Sequence, residues 1–391
     1  MKLLLIKAGK AFSTLKRDGL ISGGKRVMTA FFALFRRVKP GDILFITGGV
    51  GDSARYRTEH HAEELEGQGF KCSITVQDNP LLTKYSDKFK VFVFHRVLFT
   101  SAVQKLIKKI KQQNREIIFE TDDLVYDPKY LKYMDYFKEM NGFEKKLYEN
   151  GVGGEILNDD YVKVCTTTTT FLADKLRKFN KKVFVVPNKL AKKDVEIVNG
   201  ILAKSFDRND KEIRIGYFSG TISHNKDFAV ITEALMKVLG KYPKAKLVLV
   251  GPLDVESNLV KKFKNRIEQL PFVFWEKHLA NIAGVDINLA PLEVGNPFCE
   301  SKSELKIFEA GIMKVPTVAS ATHTFQGIVE DGVDGFIASN TQEWAEKISR
   351  LIENSGLRKR MGEKAREKTM ARHTMKNTNN QEYYDYLKTK I

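Results

Sequence analysis

The fold of this chain is decided by residues 296–320, which read NPFCESKSELKIFEAGIMKVPTVAS. Ser301 is followed three residues later by Glu304, a capping-box pattern that predicts a helix beginning at Ser301. The apolar run Asp286–Ala290 precedes this helix, and Pro316–Ala319 follows it. A helix between two such runs is typical of an α/β protein with a parallel sheet.

The same alternation extends in both directions, because short apolar runs alternate with helical patterns from residue 41 onward. Most runs are continuously apolar, as in strands covered by helices on both faces of a parallel sheet. We therefore predict two doubly wound α/β domains. The predicted strands are Asp42–Thr47, Val91–Phe94, Glu116–Phe119, Val162–Thr166, Val183–Val186, Ile213–Phe218, Ala245–Val250, Pro271–Phe274, Asp286–Ala290, Pro316–Ala319 and Gly335–Ala338.

The length of 391 residues fits two domains at roughly 100–200 residues each. A strand ends at Pro187-Asn188 and a polar stretch follows, so we place the boundary there. The predicted segments are a basic amphipathic extension (1–40), a first domain (41–187), a second domain (188–375) and a C-terminal helix that packs back on the first domain (376–391).

Composition excludes several classes of protein. With 42% hydrophobic residues and 26 Phe, the chain can bury sizeable cores and is neither disordered nor a disulfide scaffold. The three cysteines are far apart and share no metal-ligand spacing, which fits a reducing compartment. No apolar run reaches the ~18–20 residues of a membrane span, and no signal peptide is recognisable. We expect a cytoplasmic protein.

Two charged residues stand near the start of the predicted helix. Lys306 and Glu309 have i, i+3 spacing and share one helix face. A cation beside a helix N-terminus at the carboxyl edge of a parallel sheet suits a diphosphate. A carboxylate one turn later suits a ribose diol, because it can accept hydrogen bonds from both hydroxyl groups. The alternative is an ordinary solvated ion pair, which is common on helices.

This segment resembles the signature of retaining glycosyltransferase family 4, also called glycosyl transferases group 1. The likeness is carried by Glu309-Ala310-Gly311 and Val315–Ser320. It implies the GT-B fold, in which two Rossmann-like domains face a central cleft. It also implies that Lys306 holds the donor phosphates and Glu309 the donor ribose, with Asn296–Ser303 as the donor-side loop. The first Glu of the family pattern falls at Ser301 here, so Glu300, Ser301 and Ser303 are the donor-binding candidates on the sugar side.

A second motif follows the strand Ile213–Phe218 and reads SGTISHNKDF over residues 219–228. Gly220 allows the backbone to approach a ligand closely. In the family this turn carries an Arg and a Lys directed at the diphosphate, and the resemblance assigns Thr221 and Lys226 to these positions. It adds His224 as a donor to a phosphate or to the sugar. A surface histidine in a turn is the alternative. By the same resemblance, Lys226, Lys306 and His224 are catalytic candidates.

In the first domain, GGVGDSARYR (residues 48–57) lies between a strand and a predicted helix. It is not a dinucleotide fingerprint, so a nicotinamide enzyme is disfavoured. The GT-B resemblance turns this loop toward the cleft. Gly49, Gly51, Arg55 and Arg57 are then acceptor-side candidates, and solvated arginines in a plain turn are the alternative.

Two further strand ends carry polar residues in the first domain. His95 ends the run from Val91, and Asp122 and Asp123 follow the strand that begins at Glu116. The resemblance implies that Asp122 and Asp123 stand where related enzymes place a functional His, so this sequence departs from the family there, and His95 is a nearby alternative. We predict acceptor-side roles for all three residues and a catalytic role for Asp122. The carboxylates could hold a metal with the diphosphate, bind sugar hydroxyls, or cap a helix. We expect no cofactor and no metal for the chemistry.

The first 40 residues contain ten Lys or Arg and one acid, and carry +9 of the net charge of +17. Val27, Phe31, Leu34, Phe35 and Val38 follow helical spacing among these charges. An aromatic face with basic edges suits a helix on an anionic membrane, peripheral at its inner face. A helix packed on the first domain is the alternative.

We predict transfer of a sugar from a nucleoside-diphosphate sugar to a glycan or lipid-linked acceptor hydroxyl. The resemblance implies retention and a role in cell-surface polysaccharide or glycolipid synthesis. Two alternatives stay open: a nucleotide-sugar epimerase of the same fold, and a non-catalytic basic protein that binds nucleic acid. The second is disfavoured, because the sequence contains no recognisable nucleic-acid motif.

Overall fold

The computed structural model describes residues 23–138, 140, 142–204, 212–220, 225–376 and 380–391, and also Gly9, Leu15 and Gly19. The chain divides into two compact units. Among the described residues, the first unit contains those up to Lys132, Phe137–Lys189 and residues 380–391. The second contains Tyr133–Tyr136 and residues 190–376.

A six-stranded parallel sheet forms the centre of the first unit, in the order β2-β1-β3-β4-β5-β6. Two interior strands of the sheet, β1 and β3, are buried at every residue. Their continuously apolar sequences therefore follow from cover on both faces. The strands are β1 (Ile43–Thr47), β2 (Cys72–Val76), β3 (Val91–His95), β4 (Glu116–Thr121), β5 (Val164–Thr167) and β6 (Lys182–Val185).

Helices cover this sheet and bury their apolar faces. In the helix Ser101–Gln112, Val103, Leu106, Ile107 and Ile110 are buried at helical spacing, and Thr100 caps the first turn by accepting from the Val103 amide. The helices before the second unit are α1 (residues 23–33), α2 (Asp52–Ala54), α3 (His61–Gly67), α4 (Ser101–Gln112), α5 (Gly142–Tyr148), α6 (Gly154–Leu157) and α7 (Thr170–Arg177), with a π-helix at Arg55–His60 and 3₁₀ turns at Leu82–Tyr85, Pro128–Tyr133 and Asp135–Lys138.

The C-terminal helix α18 (Gln381–Lys388) belongs to the first unit. Tyr383, Tyr384 and Leu387 are buried in that unit's core. The buried carboxylate of Glu64 accepts from the Lys189 ammonium and the Tyr384 hydroxyl, so it joins α18 to the interior of the unit.

The second unit has its own six-stranded parallel sheet, in the order β12-β11-β10-β7-β8-β9. Its largest hydrophobic cluster joins one face of β7, β8 and β10 to the helices that carry Leu235 and Ile348. The strands are β7 (Ile213–Phe218), β8 (Ala245–Val250), β9 (Ile267–Leu270), β10 (Ile287–Ala290), β11 (Thr317–Ser320) and β12 (Gly335–Ala338).

The helix that carries Lys306 and Glu309 is α14 (Leu305–Ile312), and it packs against the long helix α17 (Ser355–Arg372). Gly311 permits this contact, since a Cβ there would lie 2.6 Å from the Thr369 hydroxyl oxygen. The other helices of this unit are α8 (Lys192–Ala203), α9 (Asn225–Ala229), α10 (Thr232–Lys241), α11 (Ser257–Phe263), α12 (Trp275–Ala283), α13 (Pro297–Glu300), α15 (His323–Ile328) and α16 (Thr341–Glu353).

Two edge strands depart from the prediction. The strand Cys72–Val76 was missed because its sequence alternates polar and apolar residues and its first three residues are only half-buried. The predicted strand Pro271–Phe274 is wrong, and the strand lies at Ile267–Leu270 instead. Two of those four residues, Glu268 and Gln269, are polar, as suits a sheet edge. The apolar run after them begins with a proline, which cannot donate to a ladder.

Candidate functional site

Helix α14 begins four residues later than the sequence predicted. Ser301 lies at the C-terminal end of α13, and its hydroxyl donates to the Phe298 carbonyl. Asn296 caps α13 by accepting from the Phe298 amide. The predicted capping box of Ser301 with Glu304 is therefore wrong, and a turn separates two helices where one was expected.

The first turn of α14 is fixed to the sheet by Asn288 of β10. Its buried side-chain amide donates to the Lys306 carbonyl and to the Thr317 hydroxyl, each at 3.0 Å. A buried amide with both donor bonds made holds its neighbours in one arrangement. The position of Lys306 is thus set by the sheet and not by its own helix alone.

The Lys306 ammonium lies at the carboxyl end of β7. It donates to the Phe218 carbonyl and lies 4.7 Å from the centre of the Tyr217 ring. Burial lowers the pKa of Lys306 to about 8, while the nearby carboxylates of Asp227 and Glu309 favour the charged form. A partly buried cation at this end of a parallel sheet fits an anionic group of a ligand.

Glu309 lies one turn after Lys306, and its carboxylate is 14% exposed. Its Oε2 atom is 3.4 Å from Nε2 of His278 on α12. The His278 ring also meets the Phe218 ring edge-on, with centroids 5.3 Å apart. Lys306 and Glu309 are therefore brought to one place beside the end of β7, and His278 joins them without having been predicted.

A second acid approaches Lys306 from α9. Asp227 is 5% exposed and accepts from the Cys299 thiol at 3.2 Å. The ligand atoms of Asp227, Cys299 and Glu293 lie within 4.8 Å of one another, and among the described residues this is the group whose geometry could hold a metal ion. Burial raises the pKa of the Cys299 thiol, so it keeps the proton that it donates to Asp227. Asp227 lies in the motif of residues 219–228, but neither it nor Glu293 was predicted to have a role.

The predicted sugar-side residues are engaged by their own surroundings. The Glu300 carboxylate accepts from the Gly295 amide at 2.7 Å and from the His323 amide at 2.6 Å. Ser301 is fully buried, and its hydroxyl is bonded within α13. These contacts make Glu300 and Ser301 structural residues and do not bear out their expected role at the sugar. Ser303 lies half-buried in the turn before α14.

The glycine turn after β7 is close to the neighbouring turn after β8. A Cβ on Gly251, whose φ is +97°, would lie 1.9 Å from the Ser219 carbonyl oxygen. Gly220 follows directly in this turn. Lys226 is exposed on α9, so the structure does not place it with Lys306 inside the unit. Thr221 and His224 lie outside the described residues.

The first unit contains a cavity of about 280 Å³ at the carboxyl end of its sheet. The loop after β1, including Gly49 and Gly51, lines this cavity together with His95 and Arg96. Gly48 permits this arrangement, because a Cβ there would lie 1.9 Å from the Arg96 carbonyl oxygen.

A polar network lies at this cavity and joins three strand ends. Asp122 accepts from Arg96 Nε at 2.5 Å and from the Ser53 hydroxyl at 2.8 Å, and it lies 3.3 Å from His95 Nε2. Arg96 also pairs with Asp123. The Arg96 cation, together with hydrogen bonds from His95 and Ser53, holds the pKa of Asp122 well below its usual range despite burial. The structure thus brings His95, Asp122 and Asp123 together, and their acceptor-side role stays a prediction.

Arg57 does not face a ligand. It is 1% exposed, and its guanidinium donates to both carboxylate oxygens of Glu120, to the Val186 carbonyl and to the Asn188 side chain. The side chain of Arg57 is therefore not available to contact an acceptor, contrary to the prediction. Arg55 is 13% exposed, and its guanidinium lies 3.1 Å from His60 Nε2 and over the Tyr56 ring.

An apolar surface lies on and after α1. Met28, Phe31, Phe32 and Phe35 are 51–63% exposed, and Phe31 packs edge-on against both other rings. Basic residues of the same segment include Arg36, Arg37 and Lys39. None of the helices in the described part of the chain is long and apolar enough to cross a membrane.

Comparison with known proteins identifies the class that this fold and site define. Residues 213–354 match the model of the family described as glycosyl transferases group 1. Sucrose-phosphate synthase from Thermosynechococcus elongatus has the same fold, with a TM-score of 0.62 at 15% identity over 89% of this chain and 99% of that one. HepE from Anabaena, solved with UDP and glucose, gives a TM-score of 0.57 at 16% identity over 89% and 100%. No curated protein sequence is similar enough to match.

The chain is a glycosyltransferase of the GT-B fold. Its second unit carries the group 1 glycosyltransferase domain, and α14 with Lys306 and Glu309 lies inside that domain. A glycosyltransferase from Rickettsia africae has the same two-unit fold, with a TM-score of 0.52 at 15% identity over 88% of this chain and 98% of that one.

Proposed function

We propose that this protein transfers a sugar from a nucleoside-diphosphate sugar to a hydroxyl group of a glycan or lipid-linked acceptor. The observation that carries the proposal is the position of Lys306 and Glu309 at the end of β7, inside the group 1 domain. HepE was solved with UDP-glucose, which is a donor of this chemical class. TarM from S. aureus was solved with UDP and α-GlcNAc-glycerol.

In this proposal the Lys306 ammonium and the amides of the first turn of α14 face the diphosphate of the donor. The bond between the anomeric carbon and the phosphate oxygen breaks, and negative charge grows on the leaving diphosphate. A positioned cation and helix N-terminus stabilise that charge more than the charge of the intact donor. Glu309 accepts hydrogen bonds from the two ribose hydroxyls.

The acceptor hydroxyl forms the new bond to the anomeric carbon and gives up its proton. We assign the acceptor to the cavity of the first unit, because Ser53 and His95 line it and can accept hydrogen bonds from sugar hydroxyls, and Asp122 contacts both of these side chains. Retention at the anomeric carbon, and a place in polysaccharide or glycolipid synthesis, are part of the same proposal.

Binding of nucleotides tests the donor site directly. We would measure the melting temperature with UDP, GDP, ADP and TDP for the native protein and for Lys306→Ala and Glu309→Ala. At least one nucleotide should raise the melting temperature, and both variants should lose most of that rise. Glu346→Gln, an exposed change on α16 of the same unit, is the matched control. If no nucleotide stabilises the native protein, the assignment of the donor site is wrong.

We further propose that α1 and its basic flank bind an anionic membrane surface peripherally. The three exposed phenylalanines can enter the headgroup region, and each basic residue near the surface adds ~1 kcal/mol. Sedimentation with vesicles of phosphatidylglycerol and phosphatidylcholine should pellet the native protein but not a variant with Phe31, Phe32 and Phe35 changed to Ser. Equal pelleting of both proteins, or pelleting with pure phosphatidylcholine at high salt, would remove this proposal.

A further inference from the structure

Glu300 and Ser301, two of the residues expected to contact the donor sugar, are engaged by their own surroundings. Both carboxylate oxygens of Glu300 already accept from backbone amides, at Gly295 and His323. Ser301 has no exposed surface. A ligand would have to break these bonds to reach either Glu300 or Ser301.

Glu293 stands at the edge of the sheet where Lys306 lies. It follows β10 by three residues, and β10 pairs with β7 in parallel, so both strands end at the same edge. Lys306 is bonded to the last residue of β7, Phe218. The loop that contains Glu293 therefore leaves the sheet beside the cation to which the donor diphosphate is assigned.

Asp227 lies close to both Glu293 and Lys306. Its carboxylate lies within 4.8 Å of a Glu293 carboxylate oxygen, and it is close enough to Lys306 to favour the charged ammonium. Asp227 itself is buried and accepts from the Cys299 thiol. Of these two acids, only Glu293 is half-exposed, and it is held from one side by the Asn296 amide at 2.9 Å.

We infer that Glu293 recognises the sugar of the donor by accepting hydrogen bonds from its hydroxyl groups. This inference rests on the proposed function, and it names the residue that sets the sugar specificity of that site. An ionised carboxylate only accepts hydrogen bonds, and it can accept them from several hydroxyl groups at once. The Asn296 amide fixes one oxygen, so the other can point to the ligand with little loss of side-chain freedom.

The inference predicts that Glu293 contributes to binding of the sugar and not of the nucleotide. We would measure dissociation constants by calorimetry for UDP, GDP, ADP and TDP, each free and as its glucose and N-acetylglucosamine conjugates. For the native protein, at least one conjugate should bind more tightly than its own nucleotide. In Glu293→Gln the ratio of the dissociation constant of the nucleotide to that of its conjugate should fall about tenfold. This is the loss expected for one hydrogen bond to a charged group.

Affinity for the free nucleotide should stay unchanged in Glu293→Gln, which also shows that the variant is folded. Glu346→Gln again serves as the control and should keep the full difference. If Glu293→Gln keeps the difference, or loses nucleotide and conjugate affinity equally, the inference is overturned. It is also overturned if no conjugate binds the native protein more tightly than its nucleotide. If no nucleotide binds at all, the proposed donor site itself has failed.

Discussion

In the proposed donor site Lys306 has to carry a proton when the diphosphate is bound, and burial lowers its pKa to about 8. Below that pH the ammonium is charged in the free protein, and binding needs no proton uptake. Above it, free Lys306 is neutral and has to take up a proton when the diphosphate binds, so affinity falls as pH rises. Asp227 and Glu309 favour the charged form, and Lys302 opposes it, as does the burial itself.

The size of this effect follows from one linked proton. Between pH 7.5 and 9.5 the dissociation constant of a nucleoside diphosphate should rise about twentyfold, or ~1.8 kcal/mol, if the bound ammonium has an ordinary lysine pKa. Calorimetry at constant ionic strength measures it, with UDP or whichever nucleotide binds best. In Lys306→Arg the guanidinium stays charged throughout, so the same titration should be nearly flat. An equal pH dependence in both proteins, or none in the native one, would refute the assignment.

Three other outcomes follow from described contacts. Arg57→Met leaves the buried Glu120 carboxylate without its cation, so the first unit should lose about 3–5 kcal/mol in urea unfolding; Arg57→Lys should restore part of the loss. Gly48→Ala places a Cβ against the Arg96 carbonyl, so it should lower the melting temperature, whereas the same change at exposed Gly49, where nothing is near, should not. Asp122→Asn should reduce sugar transfer while nucleotide affinity, measured by calorimetry, remains as in the native protein; a parallel loss of both would contradict an acceptor-side role.

The central strands could be predicted from sequence because burial on both faces demands a continuously apolar run, as in Ile43–Thr47. Edge strands meet no such demand. The strand Ile267–Leu270 is half polar in sequence and is defined by its pairing with β8, which only the folded chain shows. The same holds for α14, whose start is set by the tertiary contact of Asn288 with the Lys306 carbonyl, and not by the local capping pattern at Ser301.

The candidate site was predictable where its residues are neighbours in sequence. Lys306 and Glu309 share a helix face by their spacing alone. His278 and Asp227 are 31 or more residues from Glu309 and meet it or Lys306 only through the order of the strands. Arg57 was predicted to contact an acceptor because a basic residue after a glycine loop suggests an exposed side chain. It is instead buried by its pairing with Glu120, which is 63 residues away in sequence.

The position of α18 has a consequence for how the protein is made. The first unit needs Tyr383 and Tyr384 to fill its core and to complete the hydrogen bonds of Glu64. A ribosome releases these residues after the whole second unit has been synthesised. The second unit can therefore fold during translation, while the first one has to wait with an open apolar surface. A fragment ending at Lys189 should consequently be aggregation-prone, and adding α18 as a separate peptide should rescue it.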